Sequence, residues 1–207
     1  MRPIEMVAPQ QVSMGAGCQF HRSETMIFRL FTVVVMLLLS TGMVDADWKI
    51  DGKFVPDTEW ARSAGDFGVQ LVLTDKPEEL FAAWEKPRPG VFYSETATAK
   101  RRIPIMAVIF FVGCLPNAKG VCDVTVRYEA YTPDGKSWGD HVDAELWVGK
   151  RPPGKDQMQL SVGNMGIVID PDDPLGVYKV KATILDKVAK KTLIVERTFT
   201  AVEAGKK

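Results

Sequence analysis

Apolar and polar residues alternate along most of the second half of the chain, a pattern typical of β-strands with one buried face. It predicts strands over 67–74, 123–131, 177–186 and 193–202. Residues 103–112 are almost wholly apolar, which predicts a central strand covered on both faces. Turn-forming residues divide the rest into shorter candidate strands, at 48–54, 91–97, 142–148, 158–162 and 166–169. This spacing favours an antiparallel β-sandwich.

One segment departs from the period-two pattern and predicts a helix over 76–85. Asp75 can cap its start, and Pro77 lies in its first turn, where proline is tolerated. Leu80, Phe81 and Trp84 supply an apolar stripe at helical spacing, and prolines follow directly after residue 86. Residues 58–66 are expected to form a loop or a single turn of helix.

The apolar run nearest the N-terminus has the layout of a secretory signal peptide. Arg29 gives it a positive start, and residues 30–39 are apolar apart from Thr32. The run falls short of the roughly 20 residues that a membrane-spanning helix needs. The small side chain of Ala46 at the −1 position predicts cleavage before Asp47.

The chain therefore divides into three parts. Residues 1–25 hold no apolar stretch and are expected to be a mistaken upstream extension or a disordered tail. Residues 26–46 form the signal peptide, and 47–207 form a single β-sandwich domain. No lipid anchor is expected at Cys18, because its apolar run follows the cysteine rather than preceding it. We predict a periplasmic or secreted protein with no stable membrane anchor after cleavage.

Two cysteines remain in the mature chain, Cys114 and Cys122. A pair of cysteines in an exported protein indicates one disulfide bond. The residues between them include Pro116, Asn117 and Gly120, which favour a turn. The spacing lacks the close C-x-x-C arrangement of redox-active pairs, so we expect a structural bridge across a hairpin.

Charge and histidine content narrow the function. Lys plus Arg and Asp plus Glu are both 26, so the chain lacks the basic surplus of a nucleic-acid-binding protein. The mature part has one histidine, His141, which restricts general-base chemistry and metal binding. No G-x-S-x-G motif occurs. We expect no metal, no cofactor and no enzymatic activity, and the oligomeric state is left open.

Three polar clusters could carry chemistry, but each is expected to be solvated surface or a rigid turn. The competing interpretations are a metal site at His141, Asp143 and Glu145, a calcium site at Asp170, Asp172 and Asp173, and an anion contact at residues 100–102. Carboxylate pairs of the glycosidase type need no local motif and stay open.

Aromatic residues gather around one predicted turn and its flanking strands. Tyr131, Trp138 and Trp147 are candidates for a ligand platform, of the kind that a sugar-binding module presents. The alternative is that Tyr128 and Trp147 belong to the core, with Trp138 partly exposed.

The segment 173–182, which reads Asp-Pro-Leu-Gly-Val-Tyr-Lys-Val-Lys-Ala, resembles a strand of immunoglobulin-like domains. The likeness is to macroglobulin-type and fibronectin-type modules of exported bacterial proteins. It implies that the glycine makes a turn and that Tyr178 packs at the sandwich corner. The predicted helix and the cysteine hairpin depart from that family, and the resemblance implies a fold without an activity.

Together these observations predict an exported, non-enzymatic interaction or structural module of the bacterial envelope. It would contact an envelope protein through its sheet edges or loops, for example by strand addition. Two alternatives remain: a carbohydrate-binding module that uses exposed Trp and Tyr side chains, and a carboxylate- or metal-dependent hydrolase.

Overall fold

The computed structural model describes residues 49–50, 53–54, 56–86, 93–154 and 157–205. The predicted signal peptide, its cleavage site and the upstream segment 1–25 lie outside these residues. In chain order the strands are β1 (Lys49–Ile50), β2 (Lys53–Phe54), β3 (Ala61–Ala64), β4 (Phe67–Thr74), β5 (Thr98–Lys100), β6 (Ile105–Val112), β7 (Asp123–Tyr131), β8 (Val142–Val148), β9 (Gln159–Leu160), β10 (Met165–Ile167), β11 (Gly176–Asp186) and β12 (Lys191–Val202). The helix α1 spans Pro77–Trp84.

Two five-stranded sheets make the fold mostly β, as predicted. The first sheet has the order β10-β6-β4-β3, with β9 also paired to β6, and the second has the order β5-β12-β11-β7-β8. Neighbouring strands run antiparallel except β5 and β12, which run parallel. Side chains of both sheets share one buried core, so the arrangement is a β-sandwich.

Strand β6 is the centre of the first sheet and is covered on both faces, as its apolar run predicts. Its odd-numbered residues from Ile105 to Phe111 belong to the core between the sheets. Val108 and Phe110 point the other way, into a smaller cluster with Leu80 of α1. The helix thus covers the outer face of β6. No helix among the described residues has the length and apolarity to span a membrane.

The second sheet follows the predicted alternation closely. Val124, Val126 and Tyr128 of β7 are buried, and Arg127 between them is exposed. On β11 the buried positions are Tyr178, Val180, Ala182 and Ile184. The bounds of β4, β7 and β8 coincide with the predicted ones, since turn residues mark both ends of each segment.

Two local predictions were wrong. Residues 58–66 were expected to be a loop or a helical turn, yet β3 forms there and pairs with β4 across a tight turn in which Gly65 has φ 63°. Residues 93–97 are not a strand, and the strand of this region is β5 instead. Segments this short take their conformation from the strand they pair with, so local alternation is a poor guide.

The expected disulfide is present. Cys114 and Cys122 are bonded, with their Cα atoms 6.1 Å apart. Between them, Asn117 N–H donates to the Val121 carbonyl at 2.9 Å and Gly120 N–H donates to the Asn117 carbonyl at 2.8 Å. The bridge therefore closes a short turn between β6 and β7.

Reduction of this bond is expected to lower the free energy of unfolding by about 2.5 kcal/mol, because the short loop gains conformational freedom in the unfolded chain. Urea unfolding with and without dithiothreitol measures the loss. A Cys114→Ser, Cys122→Ser double variant should match the reduced protein and be insensitive to dithiothreitol. Equal midpoints for oxidised and reduced wild type would contradict the prediction.

Candidate functional site

A cleft of about 580 Å³ lies at one side of the sandwich, between the first half of β12 and the chain around β3. One wall consists of Asp57, Glu59, Arg62 and Ser63, and the other of Thr192, Leu193, Ile194 and Glu196. Its volume falls in the range of small-molecule sites in proteins. We take this cleft as the candidate site.

Two hydrogen bonds join the walls, one towards each end of the cleft. Glu196 N–H donates to the Glu59 carbonyl at 2.7 Å. The Lys191 ammonium donates to the Ala64 carbonyl at 2.5 Å. The walls are therefore held together on either side of the opening.

The first wall is shaped by side chains that cap the edge of β3. Thr58 Oγ1 accepts from Ala61 N–H at 3.0 Å, and Thr58 N–H donates to the Ala61 carbonyl at 2.7 Å. Asp57 Oδ1 accepts from the backbone N–H of Ser63 at 3.0 Å and from its hydroxyl at 3.3 Å. These bonds use backbone groups that an edge strand otherwise leaves open.

Two charged side chains of the cleft are available for a ligand. Glu196 forms an ion pair with Lys179 at 3.1 Å, and the Asp57 carboxylate accepts a hydrogen bond from Ser63. By contrast, within the described part of the chain no hydrogen bond or ion pair engages the side chain of Glu59 or Arg62. Both are exposed. The cleft thus offers one free carboxylate and one free guanidinium.

Behind the Glu59–Glu196 contact lies a half-buried polar cluster. The guanidinium of Arg197 sits 4.9 Å from the centre of the Trp60 ring and forms an ion pair with Glu95. Burial, followed by the nearby Glu95 carboxylate, raises the pKa of Tyr93. Gln70, also hydrogen-bonded to Tyr93, is buried in β4. This cluster fixes the segment that carries Glu59.

The two tryptophans predicted as part of a platform are placed apart. The backbone N–H of Trp138 donates to the Ala130 carbonyl near the end of β7. Trp147 of β8 lies opposite Val124 in the strand register, near the start of β7. Both indoles are partly buried against the core. Tyr131 lies under the ammonium of Lys179, which is 5.3 Å from its ring centre.

Each indole N–H already has a partner. Trp138 Nε1 donates to Asp173 Oδ1 at 3.0 Å, and its ring packs edge-on against Tyr178 with centroids 5.1 Å apart. Trp147 Nε1 donates to the Arg151 carbonyl at 2.8 Å, and its ring lies 5.4 Å from that of Phe111. Both rings serve packing within the sandwich.

The cluster at His141, Asp143 and Glu145 lies on β8 and the residue before it. Asp143 accepts two bonds from Arg127, at 2.7 and 2.9 Å, and these bonds lower the pKa of Asp143. His141 Nε2 is 3.4 Å from Asp143 Oδ2. Among the residues that the structure describes, no group of three or more His, Cys, Asp or Glu side chains is arranged to hold a metal ion.

The acidic turn at 170–173 binds the side chain of Arg101. The guanidinium of Arg101 donates to the carbonyl of Asp170 and, at 3.2 Å, to that of Asp173. Asp173 Oδ2 accepts from Asp170 N–H at 2.8 Å. Arg101 also pairs with Glu203 at 3.1 Å. The basic stretch 100–102 is thereby tied to this turn through its central residue.

Comparison with known proteins gives little to set beside this geometry. No family model and no curated protein matches the chain. Among solved structures, the chain is similar to a family 123 glycoside hydrolase from Clostridium perfringens, studied for the hydrolysis of glycolipid glycans. Identity is 9% and the TM-score is 0.39, over 66% of this chain and 27% of that chain.

The similar structure differs from one prediction. We expected a non-enzymatic interaction or structural module that contacts protein partners through sheet edges or loops, whereas the similar structure is a glycoside hydrolase.

Proposed function

We propose that the protein recognises carbohydrate in the cleft between β3 and β12. The observation that carries the proposal is the unpaired Glu59 and Arg62 in one opening. A sugar hydroxyl is both a donor and an acceptor, so neighbouring hydroxyls can donate to the carboxylate and accept from the guanidinium. Bonds to charged partners are stronger than bonds between neutral groups.

The opposite wall complements these polar groups. Ile194 is 46% exposed and lies beside three carboxylates. It provides an apolar surface for the C–H face of a sugar ring. A site that combines apolar lining with a few placed polar groups is the usual form of a small-molecule site.

Binding of neutral glycans is expected to depend on both free charges. Glu59→Gln and Arg62→Gln should each weaken binding about tenfold, because each removes one charged hydrogen-bonding partner. A glycan array finds ligands, and isothermal titration of the purified full chain gives Kd. The same incubations are assayed for released reducing ends, which report cleavage.

Matched controls lie far from the cleft. Glu78→Gln on α1 and Arg151→Gln in the loop after β8 make the same chemical changes at exposed positions, and should leave Kd unchanged. Equal weakening by cleft and control variants, or the absence of any glycan ligand, would refute the proposed function.

We further propose that the domain is immunoglobulin-like and exported. Tyr178 OH donates to the Pro174 carbonyl at 2.7 Å, which is the contact of a tyrosine corner, and this supports the immunoglobulin-like assignment. The disulfide supports an oxidising compartment. N-terminal sequencing of the exported protein tests this, with Asp47 as the expected first residue.

A further inference from the structure

The cleft contains a short stretch of sheet edge without a partner strand. β12 pairs with β11 along one side from Lys191 to Ala201, but with β5 on the other side only at Thr200–Val202. N-terminal to that pairing, the backbone N–H of Glu196 donates a hydrogen bond to the Glu59 carbonyl. The edge between Lys191 and Glu196 therefore faces the cleft.

The register shows which backbone groups are open. In an antiparallel pair, successive residues alternate between facing the partner strand and facing away from it. Glu196 N–H and Thr200 N–H both point away from β11, to the carbonyls of Glu59 and Ala97. The pairing with β11 is unbroken, so Thr192 and Ile194 point the same way. Within the described residues, neither has a backbone partner on that side.

The length of this edge exceeds a single sugar. From Thr192 to Glu196 the strand rises about 13 Å. The open groups alternate along it as N–H donors and C=O acceptors, a pattern that hydroxyls of successive sugar units can match. Only a ligand longer than one monosaccharide reaches both Thr192 and the free Glu59 side chain near the other end.

The cleft holds charges of both signs. Glu196 is paired with Lys179, and the two side chains that have no partner among the described residues, Glu59 and Arg62, carry opposite charges. Asp57, which accepts from Ser63, adds a further carboxylate. A strongly anionic ligand would face the Asp57 and Glu59 carboxylates, and a strongly cationic ligand would face Arg62. This mixture of signs favours an uncharged ligand.

We infer that the ligand is a linear, neutral oligosaccharide that lies along β12 and bonds to the open backbone groups of Thr192 and Ile194. This inference rests on the proposed function and adds to it the class of glycan and the main-chain contacts. It predicts that affinity depends on ligand length and on a backbone N–H that only a proline substitution removes.

The first test is titration of the full chain with linear oligomers of one to four units. The neutral probes are oligomers of glucose, galactose, mannose and N-acetylglucosamine, and the acidic probe is galacturonic acid. We expect a neutral trimer to bind about tenfold tighter than its monomer, with little change on adding salt. Equal affinity for monomer and trimer, or binding of the acidic series alone, would overturn the inference.

The second test addresses the main-chain contacts. Thr192→Pro removes one edge N–H, and proline is tolerated at such edge positions. It should weaken trimer binding about tenfold, because one hydrogen bond is lost, whereas Thr192→Ala keeps the backbone group and should change binding less than about threefold.

Hydrogen exchange tests the same main-chain contacts in the wild-type protein, so it does not require the proline variant to fold. In the wild-type protein, bound trimer should slow amide exchange at Thr192 and Ile194 and leave the turn amide of Asp134 unchanged. Glycan binding that is lost in Glu59→Gln but leaves these amides unprotected would overturn this inference alone. Absence of binding to every oligomer would overturn it together with the proposed function.

Discussion

Replacement of Phe110 by alanine is expected to lower the free energy of unfolding by about 4 kcal/mol. Phe110 is fully buried on the face of β6 that α1 covers. Its ring centre lies 5.4 Å from that of Trp84 and 4.9 Å from that of Tyr93. Removing it leaves a cavity beneath the helix and takes away the surface on which both aromatic rings pack.

Chemical denaturation with tryptophan fluorescence measures this loss, because Trp84 reports directly on the helix contact. Phe110→Leu fills much of the same space and should cost less than half as much. A loss below about 1 kcal/mol for the alanine variant would mean that the site collapses to fill the cavity, contrary to the close packing seen here.

Substitution of Asp186 by alanine should cost about 3 kcal/mol, although the residue belongs to a surface hairpin. Its side chain is fully buried. Oδ1 accepts from the backbone N–H groups of Val188 and Ala189, at 3.0 and 2.9 Å, and Oδ2 accepts from Leu115 N–H at 3.0 Å. Alanine leaves all three backbone donors without this acceptor, and a donor that loses its partner is costly.

The Asp186→Asn variant tests the contribution of the carboxylate oxygens to stability separately from that of side-chain volume. It keeps one oxygen and a similar volume, so its free energy of unfolding should fall between those of wild type and Asp186→Ala. Thermal unfolding at neutral pH gives the order. A result in which Asn and Ala cost the same would show that the retained oxygen contributes nothing.

Asp186 also shows a limit of sequence analysis. In the sequence it continues the inward alternation of β11 just before a turn, where an acidic side chain is ordinarily solvated. Leu115, which donates to it, lies in the cysteine loop and is distant in the chain. Its role as an anchor between hairpin and loop follows from their meeting in space.

The strands with regular alternation were predictable because their signal is local. In β7 every second residue is buried. Strands β4 and β6 are buried on both faces, because the shared core lies on one side of their sheet and the helix cluster covers the other. The disulfide was predictable for a similar reason, since both cysteines flank one turn. Short strands such as β3 and β5 carry too few residues for a pattern, and each exists because a longer strand lies beside it.

The candidate site was not predictable in this way. Aromatic content drew attention to Trp138 and Trp147, whose rings the fold uses for packing, because apolar surface is stabilised most by burial wherever the sheets allow it. The sequence by itself determined the β-rich character, the turn positions and the cysteine bridge, all of which depend on neighbouring residues. The tertiary structure alone decided the cleft, since Glu59 meets Glu196 only when the edges of two sheets, formed far apart along the chain, come together.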